Sequence, residues 1–188
     1  MNPPWQEDLA LVERFKTGDE GAFNEIVRTY QKRVYFLCYR MIGVHEDAAD
    51  LSQETFVRAY GALKRFDGRS GLYTWLYRIA MNLCLNQVKK PKGLSLDDEE
   101  AQEVQAPAGQ GSPEEALHRS QLNQAIARAV EALPPRQKAV FILRTNEGLS
   151  HEEIARMIHR SVGAVKATYF QAVRKLRVSL REIKESTE

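Results

Sequence analysis

With 188 residues, the chain is long enough for one domain of ordinary size or two small ones. Lys and Arg number 27 against 25 Asp and Glu, a net charge of +2 that argues against a uniformly basic, histone-like protein, and no run approaches the ~18 apolar residues that membrane insertion needs. Taken by segment, residues 1–21, 22–90, 91–115 and 116–188 carry −3, +5, −6 and +6, so two basic blocks suited to a polyanion flank an acidic stretch that avoids one.

The predicted elements are helical almost throughout. Leu9, Val12 and Phe15 open a short amphipathic stretch that stops near Gly18. Phe23, Ile26, Val27, Tyr30, Val34, Leu37, Cys38 and Met41 then recur at three- and four-residue steps up to Gly43. Phe56, Ala59, Tyr60, Leu63 and Phe66 repeat the pattern, and Leu76, Ile79, Ala80 and Leu83 do so again. No window alternates long enough for a strand, so the fold class is all-α, and residues 1–90 read as a helical bundle. Residues 91–114 lose all periodicity and read as a flexible acidic linker. Its run Asp97, Asp98, Glu99, Glu100 lacks the spacing and glycine of a calcium loop. From 115 to 188 a second, smaller helical domain is expected, broken at Pro134 and Pro135.

Cys38 and Cys84 stand singly within apolar periodic segments, with no CxxC or Cys/His spacing, and read as buried free thiols. No metal or cofactor is expected. The opening residues, with Pro3, Pro4, Glu7 and Asp8, lack the positive start and apolar run of a secretory signal, so the expected location is cytoplasmic.

The strongest local signal is a helix-turn-helix. Ser150 can cap a helix, with Glu153 placed to reach back to its backbone N–H, ahead of Ile154, Ala155 and Ile158. His159 and Arg160 make a turn, and Ser161 can cap a longer helix through Val165, Tyr169, Ala172 and Leu176. Small Ala155 lets the two helices cross closely, and Lys166, Arg174, Lys175 and Arg177 lie on the outer face.

The segment from Gly68 to Arg78 differs in kind. Gly68, Ser70 and Gly71 make a loop able to approach a ligand, and Thr74 can cap the helix that follows. Trp75, Arg78, Asn82, Asn86 and Lys89 fall on one stripe of that helix, joining an aromatic ring, cations and base-reading amides as single-stranded nucleic acid requires. The alternative is that Trp75 and Tyr77 are core aromatics. A third stripe is acidic: Asp47, Asp50 and Glu54, with Gln53 beside them, read as a polar docking face for a protein partner, the alternative being a plainly solvated face. Neither a nucleophile nor a metal cluster accompanies these carboxylates, and His45 stands isolated, so no enzyme activity is expected.

At these residues the chain resembles the sigma factors of bacterial RNA polymerase, in particular the short two-domain extracytoplasmic-function (ECF) group of the sigma-70 family. The likeness rests on Asp47 to Phe66 (DAADLSQETFVRAYGALKRF), Thr74 to Asn86 (TWLYRIAMNLCLN) and Leu133 to Leu176. It implies a non-catalytic initiation subunit. Its first domain would dock on the clamp of the RNA polymerase core enzyme through Asp50, Gln53, Glu54 and Phe56. That domain would also bind and melt the minus-ten element of promoter DNA through Phe66, Arg69, Ser70, Tyr73, Trp75, Arg78, Asn82 and Asn86. The second domain would bind the minus-35 duplex through Ser161, Lys166, Ala167, Phe170, Gln171 and Arg174. An anti-sigma factor is the expected regulatory partner. The chain departs from the family where GAVKAT, Gly163 to Thr168, stands in place of a GTVKSR-like start, and Gln171 occupies a common arginine position. The rival readings are a stand-alone helix-turn-helix regulator and a nucleic-acid-processing enzyme.

Overall fold

The computed structural model describes residues 4–89 and 113–185. Among them are eight helices and no strand: α1 (Pro4–Lys16), α2 (Glu20–Ile42), α3 (His45–Leu63), α4 (Leu72–Lys89), α5 (Pro113–Glu131), α6 (Pro135–Thr145), α7 (His151–Met157) and α8 (Val162–Glu185). The acidic run Asp97 to Glu100 lies outside the described residues. No helix is long and apolar enough to cross a membrane, and no cluster of potential metal ligands occurs among the described residues.

Each boundary has a chemical cause. Gly18 at φ 106° turns the chain between α1 and α2, and Gly43 at φ 82° ends α2 with its N–H on the Tyr39 carbonyl at 2.8 Å. Pro135 occupies the first position of α6, where a missing N–H costs nothing. Ser150 and Glu153 form the expected capping box: Ser150 Oγ accepts from the Glu153 N–H at 3.1 Å, and the Glu153 carboxylate accepts from the Ser150 N–H at 2.8 Å. Those hydrogen bonds hold the Glu153 carboxyl below the usual range. His159, left-handed at φ 53°, makes the turn, and the Arg160 N–H closes it on the Ala155 carbonyl at 2.9 Å. Thr74 does not cap α4. The helix begins at Leu72, with the Trp75 N–H on the Gly71 carbonyl at 3.0 Å, so Thr74 already lies in its first turn.

The apolar steps of the sequence become the core. Ile26, Val34, Leu37, Leu63, Leu76, Ala80 and Met81 are buried where α2, α3 and α4 meet. Cys38 and Cys84 are free and buried there, and contact with Cys38 together with burial raises the Cys84 thiol pKa. His45 is not isolated: its ring stacks on Tyr39 at 4.3 Å and its Nδ1 meets the Tyr35 hydroxyl. The core does not stop at the helices before the linker. Val140, Ile142, Leu143, Ile154, Met157 and Val165 belong to the same apolar cluster: α6 packs against α2 and α4, α7 packs against α4, and the start of α8 joins through α6 and α7. A smaller cluster, Ala129, Leu133, Ala172 and Leu176, ties α5 to α8.

Candidate nucleic-acid and partner interfaces

The helix-turn-helix presents an open face. Ser161 Oγ accepts from the Ala164 N–H at 3.2 Å and so starts α8. Val165, Ala172 and Leu176 turn inward, while Lys166, Ala167, Phe170, Gln171 and Arg174 are exposed. Phe170 is 67% exposed, an extreme value for a ring of that size with Lys166 and Arg174 one turn away on either side. The Gln171 amide is held by Gln137 of α6, whose Nε2 donates to Gln171 Oε1 at 3.3 Å.

The loop between α3 and α4 and the helix after it divide into floor and surface. Phe66 and Trp75 pack edge to face, with ring centroids 5.4 Å apart, and both are buried. This corrects the expectation that Trp75 belongs to an exposed stripe. Its position in the first turn of α4 points the indole under the loop, where Phe66 covers it. Tyr77 is buried as well, its hydroxyl donating to the Arg33 carbonyl at 3.3 Å. Above the floor, Gly68 takes φ 72°, Arg69 projects into solvent with Asp67 at 3.1 Å, and Ser70 is half-buried. Arg78 is half-buried, and Asn82 and Asn86 are exposed with no hydrogen bond among the described residues. Tyr73 stands apart. About two and a half turns of helix from Asn82, it lies on the opposite face of α4, facing α2, with its ring 4.1 Å from that of Tyr77. Burial and a hydrogen bond to Glu147 push its hydroxyl up to about 12.

On α3, Asp50 and Gln53 are exposed and Glu54 is half-buried, paired with Arg58 at 2.7 Å. Phe56 is not on this face: it is buried beneath α3, because it falls on the apolar steps that lead to Ala59 and Leu63. Val57 takes its place at the surface, 67% exposed between Gln53 and Arg58. A lone valine off the apolar steps was the sequence signal for it. Sequence reasoning also missed Arg33 and Glu147, which meet Tyr73, and Arg40, which pairs with Glu147 between the two halves. A cavity of about 330 Å³ opens beside α4, with Lys89, Arg136 and Arg160 on its lining. The residues involved are far apart in sequence, and only the packing of α6 and α7 on α4 brings them together.

An all-helical fold with an open helix-turn-helix and an exposed amide stripe on the otherwise buried α4 suits a nucleic-acid-binding regulator. Comparison with known proteins narrows this. Residues 26–93 match the sigma-70 region 2 family and residues 123–176 match sigma-70 region 4. The chain is 38% identical over 172 residues to the ECF RNA polymerase sigma-E factor of Escherichia coli K12, covering 88% of this chain and 90% of that protein. It is 35% identical over 174 residues to the RNA polymerase sigma-H factor of Pseudomonas aeruginosa, covering 89% and 90%. Among solved structures, CnrH in complex with the cytosolic domain of CnrY matches with a TM-score of 0.67 at 23% identity, covering 94% of this chain and 98% of that one. The sigma factor RpoE of Bartonella quintana, in complex with the anti-sigma factor NepR, matches at 0.64 and 22% identity, covering 85% and 96%. The chain belongs to the ECF group of RNA polymerase sigma factors, in the sigma-70 family.

Proposed function

We propose that the chain is a dissociable, non-catalytic subunit that binds core RNA polymerase, recognises two promoter elements and assists melting. The division of labour follows residues 1–90 and 115–188, with 91–114 connecting them. Asp50, Gln53 and Glu54, with Val57 among them, offer the polymerase clamp a mixed polar and apolar face on α3. Arg69, Ser70, Arg78, Asn82 and Asn86 supply cations and free amides for the separated minus-ten strand, above a floor of Phe66 and Trp75. Lys166, Phe170 and Gln171 reach toward base edges of the minus-35 duplex, and Arg174 toward phosphate.

The observation that carries this reading is the pairing in one chain of an open duplex-reading helix with an exposed amide stripe on α4. A stand-alone regulator has use for the first and none for the second. An anti-sigma factor completes the set of partners, a role that the complex of RpoE with NepR illustrates in a protein of the same fold. The test is permanganate footprinting of duplex promoter DNA with core polymerase. A bubble at the minus-ten element should appear only when this chain is added, and should shrink in Asn82→Ala. DNA binding that is as tight without polymerase, and opens no bubble, would instead support the stand-alone regulator.

A further inference from the structure

Arg40 of α2 and Tyr73 of α4 converge on one carboxylate, that of Glu147, which comes from the loop between α6 and α7. Arg40 Nη1 lies 2.9 Å from Oε1, and the Tyr73 hydroxyl donates to Oε2 at 2.6 Å. The Glu147 side chain is 8% exposed, whereas that of Arg40 is 40% exposed. Arg33 adds a second cation, its guanidinium 5.5 Å from the centre of the Tyr73 ring. A carboxylate so withdrawn from water is tolerated because both oxygens find donors, and both of these come from the opposite half of the molecule. With Glu147 withdrawn, a guanidinium and a phenol would remain aimed at one point beside another guanidinium, a donor set for an oxyanion.

The chemistry of the occupant indicates what else fits. A carboxylate carries one negative charge on two oxygens, and so does a phosphodiester through its two non-bridging oxygens. The site adjoins the Gly68 to Gly71 loop, because Tyr73 is the second residue of α4. In the reading proposed above, that loop receives the separated strand, so phosphodiesters would arrive within its reach. We propose that Arg40 and Tyr73 form a phosphodiester site for the separated promoter strand, and that Glu147 fills it in the closed chain as an internal competitor. Holding the strand there and keeping this contact between the two halves then exclude each other. The inference rests on the assignment of the α3–α4 loop and α4 to the strand.

The test uses the full chain and a fluorescein-labelled pool of random single-stranded 12-mers, with anisotropy titrations at several salt concentrations. Glu147→Gln should tighten binding by about tenfold, since apparent affinity scales with the fraction of chains whose site is free. In that background Arg40→Gln should loosen binding and flatten the salt dependence by about 0.7 of a unit of slope, the contribution of one phosphate on a single strand. Tyr73→Phe, which keeps the ring, should loosen binding by a smaller factor. Asn82→Ala in the same background separates the two levels of the argument. If it weakens binding while Arg40→Gln changes neither affinity nor slope, the strand assignment stands and the phosphodiester site is overturned. If neither substitution matters, the strand assignment itself fails and takes the site with it. Unchanged affinity in Glu147→Gln would remove the competitor role. An Arg40→Gln chain that loses core polymerase while binding the pool normally would give Arg40 to a protein partner, against the proposal.

Discussion

At the scale of single residues, the recognition helix makes the sharpest prediction. Gln171 has an amide that can pair bidentately with adenine, and its Oε1 accepts from Gln137 Nε2 at 3.3 Å in the free chain. Replacing Gln171 with alanine should change the preferred base at one upstream position, where a wrong base typically costs ~1 to 3 kcal/mol. Arg174→Ala should weaken all upstream sequences alike and flatten the salt slope by about one unit. Selection from randomised promoters by the holoenzyme reads both effects, and neither change should move the minus-ten preference. The capping box makes a stability prediction. Ser150→Ala should cost about 1 kcal/mol in urea unfolding, the usual worth of a helix cap. Glu153 adds a pH dependence of known sign. Its carboxyl is held below its usual value in the folded chain, so its contribution is complete above about pH 4.3, the unperturbed value, and is lost as pH falls through the lower folded value. Urea midpoints of Glu153→Gln and the unaltered chain should therefore converge on acidification.

At the scale of helices, burial separates residues that share a stripe in the sequence. Trp75→Ala should destabilise by roughly 3 to 5 kcal/mol, as large aromatic truncations in a core do, whereas Asn82→Ala should stay within about 0.5 kcal/mol of the parent. Thermal unfolding of the two variants checks this, and equal melting temperatures would restore Trp75 to the surface. On α3, charge reversal at Asp50 and Glu54 together should weaken retention on immobilised core polymerase and leave the helical circular dichroism intact. Most of these elements were legible in the sequence. The steps from Phe23 to Met41, the stop at Gly43, the break at Pro134 and the Ser150 capping box all rest on local chemistry, and α2, α6 and α7 follow them. Trp75 and Phe56 were harder for a physical reason. Their exposure depends on which neighbour covers them, Phe66 for the indole and the adjoining helices for Phe56, and helical spacing fixes a direction around an axis without naming what lies along it. Thr74 was misread as a cap because helix initiation at Gly71 and Leu72 leaves no side-chain signal stronger than that of a threonine.

At the scale of the whole molecule, the feature least visible in the sequence is the contact between its halves. The charge pattern sets a basic block on each side of an acidic stretch, yet among the described residues the blocks are linked by the buried Glu147 and a shared apolar cluster. Arg40 and Glu147 are 107 residues apart, and no local pattern joins them. Apolar residues of α6 and α7 that satisfy a helical period also cover α2 and α4, so the same side chains build the second half and dock it on the first. The claim that unites the residues, the helices and the molecule is that this chain directs polymerase to promoters. Run-off transcription with purified core polymerase on genomic fragments tests it most directly. Discrete transcripts should start at defined sites, require this chain, and be lost in Asp50→Lys/Glu54→Lys. Transcription by core that is unchanged by the chain, with DNA fragments still bound by the chain alone, would contradict it.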